Sequence, residues 1–93
     1  MADRMRVHIV VKGVVQGVGF RYFTMRLARD YGLTGWVRNR EDGSVELEAE
    51  AEKAIVKSFI KHLGVGPRGA HVSGLDVEAL PAGKMYSDFT VRF

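Results

Sequence analysis

The stretch Val7-His8-Ile9-Val10-Val11-Lys12-Gly13-Val14-Val15-Gln16-Gly17-Val18-Gly19-Phe20-Arg21-Tyr22-Phe23-Thr24-Met25-Arg26-Leu27-Ala28-Arg29-Asp30-Tyr31 changes its periodicity halfway along. Before the glycines, Val7, Ile9 and Val11 alternate with Arg6, His8 and Lys12, a β-branched period of two that predicts a half-buried strand. After them, Phe20, Phe23, Leu27, Ala28 and Tyr31 share one face of a helix that Gly32 is suited to end. Strand, glycine-rich loop, helix is therefore the first unit of the fold.

Working outward, Trp36 and Val37 open a second strand, and Asp42-Gly43 predicts a hairpin turn before Val45, Leu47 and Ala49 alternate with Glu46, Glu48 and Glu50. Ala51, Ile55, Phe59 and Leu63 then recur every fourth residue, with Lys53, Lys57 and Lys61 on another face, predicting a second amphipathic helix that ends between Gly64 and Pro67. Leu75, Val77 and Ala79 alternate with Asp76 and Glu78, and Phe89, Val91 and Phe93 with Thr90 and Arg92, giving a fourth strand and a short last one. The order predicts an α+β fold, a ferredoxin-like α/β sandwich: an antiparallel sheet with two helices on one face and an extra C-terminal strand. We read residues 1–93 as a single domain, with no internal repeat.

Composition agrees with one modest core. The chain has 93 residues, 46% hydrophobic and 27% charged with two prolines, the balance of a folded protein rather than a disordered one. Cysteine is absent, which excludes disulfides, thiolate catalysis and cysteine-bound metal clusters. The charged start, Met1-Ala2-Asp3-Arg4-Met5-Arg6, leads into a strand pattern without an apolar signal core or spanning run, so we expect a cytoplasmic protein, neither exported nor membrane-anchored. Residues 1–40 carry 8 Lys/Arg against 2 Asp/Glu (+6) and the remainder 6 against 9 (−3), which together give the net +3. That asymmetry fits a local anion site better than a nucleic-acid stripe, although a mixed solvated surface explains charge alone as well.

The segment Gly13-Val14-Val15-Gln16-Gly17-Val18-Gly19-Phe20-Arg21 places a loop where the unpaired amides and positive dipole of a helix start converge. Gly17 and Gly19 permit backbone angles that turn consecutive amides toward one anion, so Gln16, Gly17, Val18, Gly19 and Phe20 are candidate phosphate-binding residues. The segment lacks the Gly-Lys-Ser/Thr of a Walker loop and the third glycine of a dinucleotide fingerprint. On glycine spacing alone, a tight strand-to-helix connection explains it equally well.

Arg21 favours the anion reading. A cation in a helix's first turn opposes the dipole, at about 0.3–1 kcal/mol, unless an anion is bound there, and its planar fork can grip two phosphoryl oxygens. The alternative is a surface arginine lying over Phe20. Asn39, at the end of the second strand, could accept from a water and donate to a phosphoryl oxygen, although in isolation it reads more simply as a turn residue before Arg40-Glu41-Asp42-Gly43. His8, His62 and His71 show no metal-ligand spacing, Glu46, Glu48 and Glu50 read as a solvated edge, and Trp36 and Tyr86 as packing residues.

Two stretches resemble the signatures of the acylphosphatase family: Gly13-x-Val15-Gln16-Gly17-Val18-Gly19-Phe20-Arg21 and Gly35-Trp36-Val37-Arg38-Asn39-x-x-x-Gly43-x-Val45. Tyr86-Ser87-Asp88-Phe89 resembles it too, and length and element order match over essentially the whole chain. Ala51 departs from the family's usual glycine and puts the strand-to-helix connection there in question. The resemblance implies hydrolysis of small acyl phosphates without a metal or cofactor. It assigns phosphoryl binding to the loop amides and Arg21, and positioning of the attacking water to Asn39. Nothing in the pattern demands a partner, so a monomer is expected. The alternative, an RNA-binding or phosphate-sensing module, lacks its diagnostic surface: the third strand offers glutamates where stacking aromatics and basic residues are needed.

Overall fold

The computed structural model describes residues 3–83 and 86–93, and these form β1 (Arg4–Val14), α1 (Phe20–Asp30), β2 (Thr34–Asn39), β3 (Val45–Glu52), α2 (Lys53–Val65), β4 (His71–Leu80) and β5 (Phe89–Arg92). The strands make one sheet in the order β4-β1-β3-β2-β5. β1 pairs antiparallel with β3 and β4, and β2 antiparallel with β3. β5 instead runs parallel to β2, so the extra strand makes the sheet mixed. The reason is directional: β4 finishes at the end of the sheet where β2 begins, and the returning chain enters beside that beginning, where Gly35 N–H bonds Asp88 O at 2.9 Å.

Both helices cover one face. The alternating residues Val7, Ile9 and Val11 of β1, Val45, Leu47 and Ala49 of β3, and Val37 of β2 are 0–1% exposed beneath them. From α1 come Phe20, Thr24 and Ala28, and from α2 Val56, Phe59 and Leu63. Each large apolar side chain so enclosed contributes roughly 1.5–3 kcal/mol relative to exposure. Thr24 is the polar member that periodicity passes over. Its hydroxyl donates to Phe20 O one turn back at 2.9 Å, which removes the cost of burying it.

Ala51, expected to lie on the second helix, belongs to β3: it pairs with Met5 and is 5% exposed in the core. An inward position near a strand end and one near a helix start both want an apolar residue, so the i+4 spacing could not separate them. In this extended strand the alanine methyl packs inward without disturbing the connection. Val77 and Ala79 are also less covered than their alternation implies, Val77 being 45% exposed, because β4 is an edge strand flanked only by β1.

The open face corrects the reading of the glutamate row as a solvated edge. β3 is central, so Glu46, Glu48 and Glu50 stand between basic side chains of its neighbours. Glu46 bonds His8 Nε2 and Arg38 Nε, each at 2.6 Å, Glu48 bonds Arg6 Nη2 at 2.6 Å, and Glu50, 1% exposed, bonds Arg4 Nε at 3.1 Å. Desolvation pushes the Glu46 carboxyl up, but the bonds from His8 and Arg38 outweigh it and hold it below the usual carboxylate range. Trp36 and Tyr86 do pack here. Trp36 Nε1–H donates to the Tyr86 hydroxyl at 3.0 Å, with the Arg92 guanidinium 4.6 Å from the indole centroid.

Candidate active site

β1, β2 and β5 all finish at the same end of the sheet, where the loop after β1 turns into α1. The strand directions thus gather residues far apart in sequence. The mouth between them is a cleft of about 330 Å³ lined by Gln16, Gly17, Gly19, Phe20, Arg21 and Asn39. Val18 is the sequence candidate whose side chain lies elsewhere: it packs on the hydrophobic core, leaving only its backbone to the loop.

The loop's shape follows from its glycines. Gly17 and Gly19 have φ of 76° and 75°, a left-handed conformation that costs other residues about 1–2 kcal/mol. Alternating with Val18, they bend the chain so that its amides can face one side, and Gly19 serves as the N-cap of α1. The first amide to bond back into the helix is that of Phe23, to Gly19 O at 2.9 Å. Among the described residues, the amides from Gln16 to Tyr22 have no backbone acceptor, no side chain caps the helix, and its first turn has no acidic residue. A run of free donors at the positive end of a helix dipole is suited to a tetrahedral oxyanion.

Arg21 adds the charge. Its Nη1 donates to Arg92 O at 3.4 Å, and its guanidinium carbon lies 4.8 Å from the Phe93 ring centroid. These contacts leave its charge unneutralised: it forms no ion pair among the described residues. Phe93, Val91 and Tyr22 also line the cleft and were not among the sequence candidates. Tyr22, next to Arg21, was locally findable. Phe93 arrives only through the parallel pairing of β5 with β2, for which the sequence carries no local signal.

Asn39 closes β2 opposite Val45 and lines the same cleft. Its side-chain amide has no hydrogen-bond partner among the described residues, so both ends remain available to water or ligand. The following turn is closed by its own hydrogen bonds. Arg40 N–H bonds Ser44 O at 2.9 Å and Gly43 N–H bonds Arg40 O at 3.3 Å. Asp42 Oδ1 accepts from the Ser44 hydroxyl and amide, the bonds that chiefly hold its carboxyl below the usual range. Gln16 Nε2 donates to the same turn, to Arg40 O at 2.7 Å and Ser44 O at 2.8 Å.

Comparison with known proteins identifies the family. The acylphosphatase family profile matches residues 7–91. The chain is 47% identical over 94 residues to an acylphosphatase of Anaeromyxobacter dehalogenans, covering 100% of both chains. It is 52% identical over 80 residues to one of Bifidobacterium longum, covering 86% of this chain and 82% of the other. The crystal structure of acylphosphatase from Bacillus subtilis superposes with a TM-score of 0.92 at 35% identity, over 96% of this chain and 99% of that one.

Proposed function

This chain belongs to the acylphosphatase family, and from that premise we propose how its residues divide the hydrolysis of a small acyl phosphate. The loop amides of Gln16, Gly17, Val18, Gly19 and Phe20, with the guanidinium of Arg21, hold the phosphoryl group. Asn39 holds the attacking water in line. One observation carries this reading: a run of unpartnered amides, an arginine without a carboxylate and an asparagine with a free amide meet in one cleft.

The chemistry needs little more. Water attacks phosphorus, the bond from phosphorus to the acyl oxygen breaks, and the products are a carboxylate and inorganic phosphate. A carboxylate is stable as an anion, so its departure needs no strong general acid, and a phosphoryl oxygen of the substrate can take the water proton. The protein's work is therefore placement and charge stabilisation, which the amides, Arg21 and Asn39 supply. On this reading residues 1–93 act as one acylphosphatase-like domain, a cytoplasmic monomer working without metal or cofactor.

The test is a titration with inorganic phosphate followed through backbone amide shifts, alongside its inhibition of acetyl phosphate hydrolysis in the presence of chelator. The largest shifts are expected from Gln16 to Arg21, with competitive inhibition. Largest shifts around Lys53, Lys57 and Lys61 would move the site to α2 and overturn the assignment.

A further inference from the structure

Gln16 lines the cleft, yet its side-chain nitrogen is spent on protein. An amide NH₂ has two hydrogens, and here both go to main-chain carbonyls of the β2–β3 turn, those of Arg40 and Ser44. Since both partners only accept, the nitrogen must be the end that faces them, which fixes the amide's orientation without reference to any ligand. Each carbonyl also accepts within the turn, Arg40 O from Gly43 N–H and Ser44 O from Arg40 N–H, so Gln16 closes a hydrogen-bonded ring around the residue after Asn39. In the opposite direction Gln16 is continuous with Gly17, Val18 and Gly19 of the anion loop. No other hydrogen bond between described residues ties that loop to that turn.

We propose that Gln16 is a positioning residue, whose side chain sets the distance between the phosphoryl cradle and the water held by Asn39. The inference rests on the water-positioning role of Asn39. In-line attack tolerates little error in that distance, because the nucleophile must sit within about 3–3.5 Å of phosphorus along the axis of the leaving oxygen. The cradle follows β1 and Asn39 ends β2, two strands separated by β3, and without a strut each could keep its own shape while their separation wandered. Gln16 supplies that strut from inside the loop. The shorter Gln16→Asn cannot span to both carbonyls, and Gln16→Glu, nearly isosteric, sets a carboxylate oxygen against two carbonyl oxygens.

The experiment compares Gln16→Ala, Gln16→Glu, Asn39→Ala and the double variant Gln16→Ala/Asn39→Ala, each checked for folding. The readouts are kcat on acetyl phosphate and affinity for inorganic phosphate. Gln16→Ala and Gln16→Glu should lower kcat by about tenfold or more while phosphate affinity stays within about threefold of wild type. The double variant should be no slower than Asn39→Ala, because a strut that acts through Asn39 has nothing left to position. Fully multiplicative losses would overturn the inference, as would a Gln16→Ala effect confined to phosphate affinity or to thermal stability. The parent reading fails separately: an Asn39→Ala variant with wild-type kcat removes the water role itself, whatever Gln16 does.

Discussion

The fold has two helix starts on the same face of the sheet, and only one leaves a run of backbone amides without acceptors among the described residues. Neither α1 nor α2 has a capping side chain or an acidic residue in its first turn, so by dipole alone they are equivalent. They differ in how the chain enters. α1 follows a loop with left-handed Gly17 and Gly19 that leaves successive amides unclaimed, whereas α2 follows β3 directly, with no glycine between Ser44 and Leu63. Its Glu52 N-cap is extended, and Asp3 O already accepts the Lys53 amide at 2.8 Å. Lys53, Lys57 and Lys61 give α2 as many cations as Arg21, Arg26 and Arg29 give α1, but no array of donors for that charge to complete. On the proposed reading, the arranged backbone comes first and the cation second.

The sharpest way to break this contrast is to remove one cation from each helix. Arg21→Ala should abolish turnover and weaken phosphate binding by on the order of 3 kcal/mol or more, since no neighbour replaces a forked contact to a desolvated anion. Even Arg21→Lys should be poor. Lys57→Ala, on the exposed face of α2, should leave kcat and KM within about twofold of wild type. Comparable losses in the steady-state rates of Arg21→Ala and Lys57→Ala would mean that net charge, not the loop, makes the site.

Next in size, Asn39→Ala should lower kcat by about 100-fold, the scale of losing one transition-state hydrogen bond, with phosphate affinity nearly unchanged. That outcome would sharpen the comparison by showing that the start of α1 draws its catalytic group from the end of β2. Retention of wild-type kcat by the folded variant, measured at saturating acetyl phosphate, would leave Asn39 as a turn residue only.

The smallest effect concerns the turn beside α1. The Asp42 carboxyl is held below its usual range, first by the Ser44 hydroxyl and then by the Ser44 amide. A group whose folded pKa is lowered stabilises the fold above its unfolded pKa, and that contribution fades as pH falls through the folded value. Asp42→Asn should therefore be slightly less stable than wild type near neutral pH, with the difference vanishing in acid, and its kcat should stay within about twofold. Thermal melts across pH check the sign. A gap that widens toward acid would contradict it.

The first unit and its glycine loop were legible because their signals are local. The period changed from two to helical around Gly17 and Gly19, both glycines do take positive φ, and Arg21 does fall in the first helical turn. The glutamate row was misread for the opposite reason. Alternation shows that Glu46, Glu48 and Glu50 share a face, but besides Arg38 across the hairpin their hydrogen-bond partners include Arg4, Arg6 and His8, some 38 to 46 residues earlier. A period of two identifies a face and is silent on the strand's neighbours.

By itself, then, the sequence determined the element order, the left-handed glycines of the loop and the cation at the start of α1, since each depends on residues within one or two turns of chain. Only the tertiary structure decided that β5 lies parallel to β2, that Arg21 meets Phe93 and the Arg92 carbonyl, and that Gln16 reaches the turn after Asn39. Those contacts join residues 24 to 72 apart, from Gln16 to Arg40 and from Arg21 to Phe93. Their register is set by which strand faces bury together against the helices, a property of the whole sheet that no single segment carries.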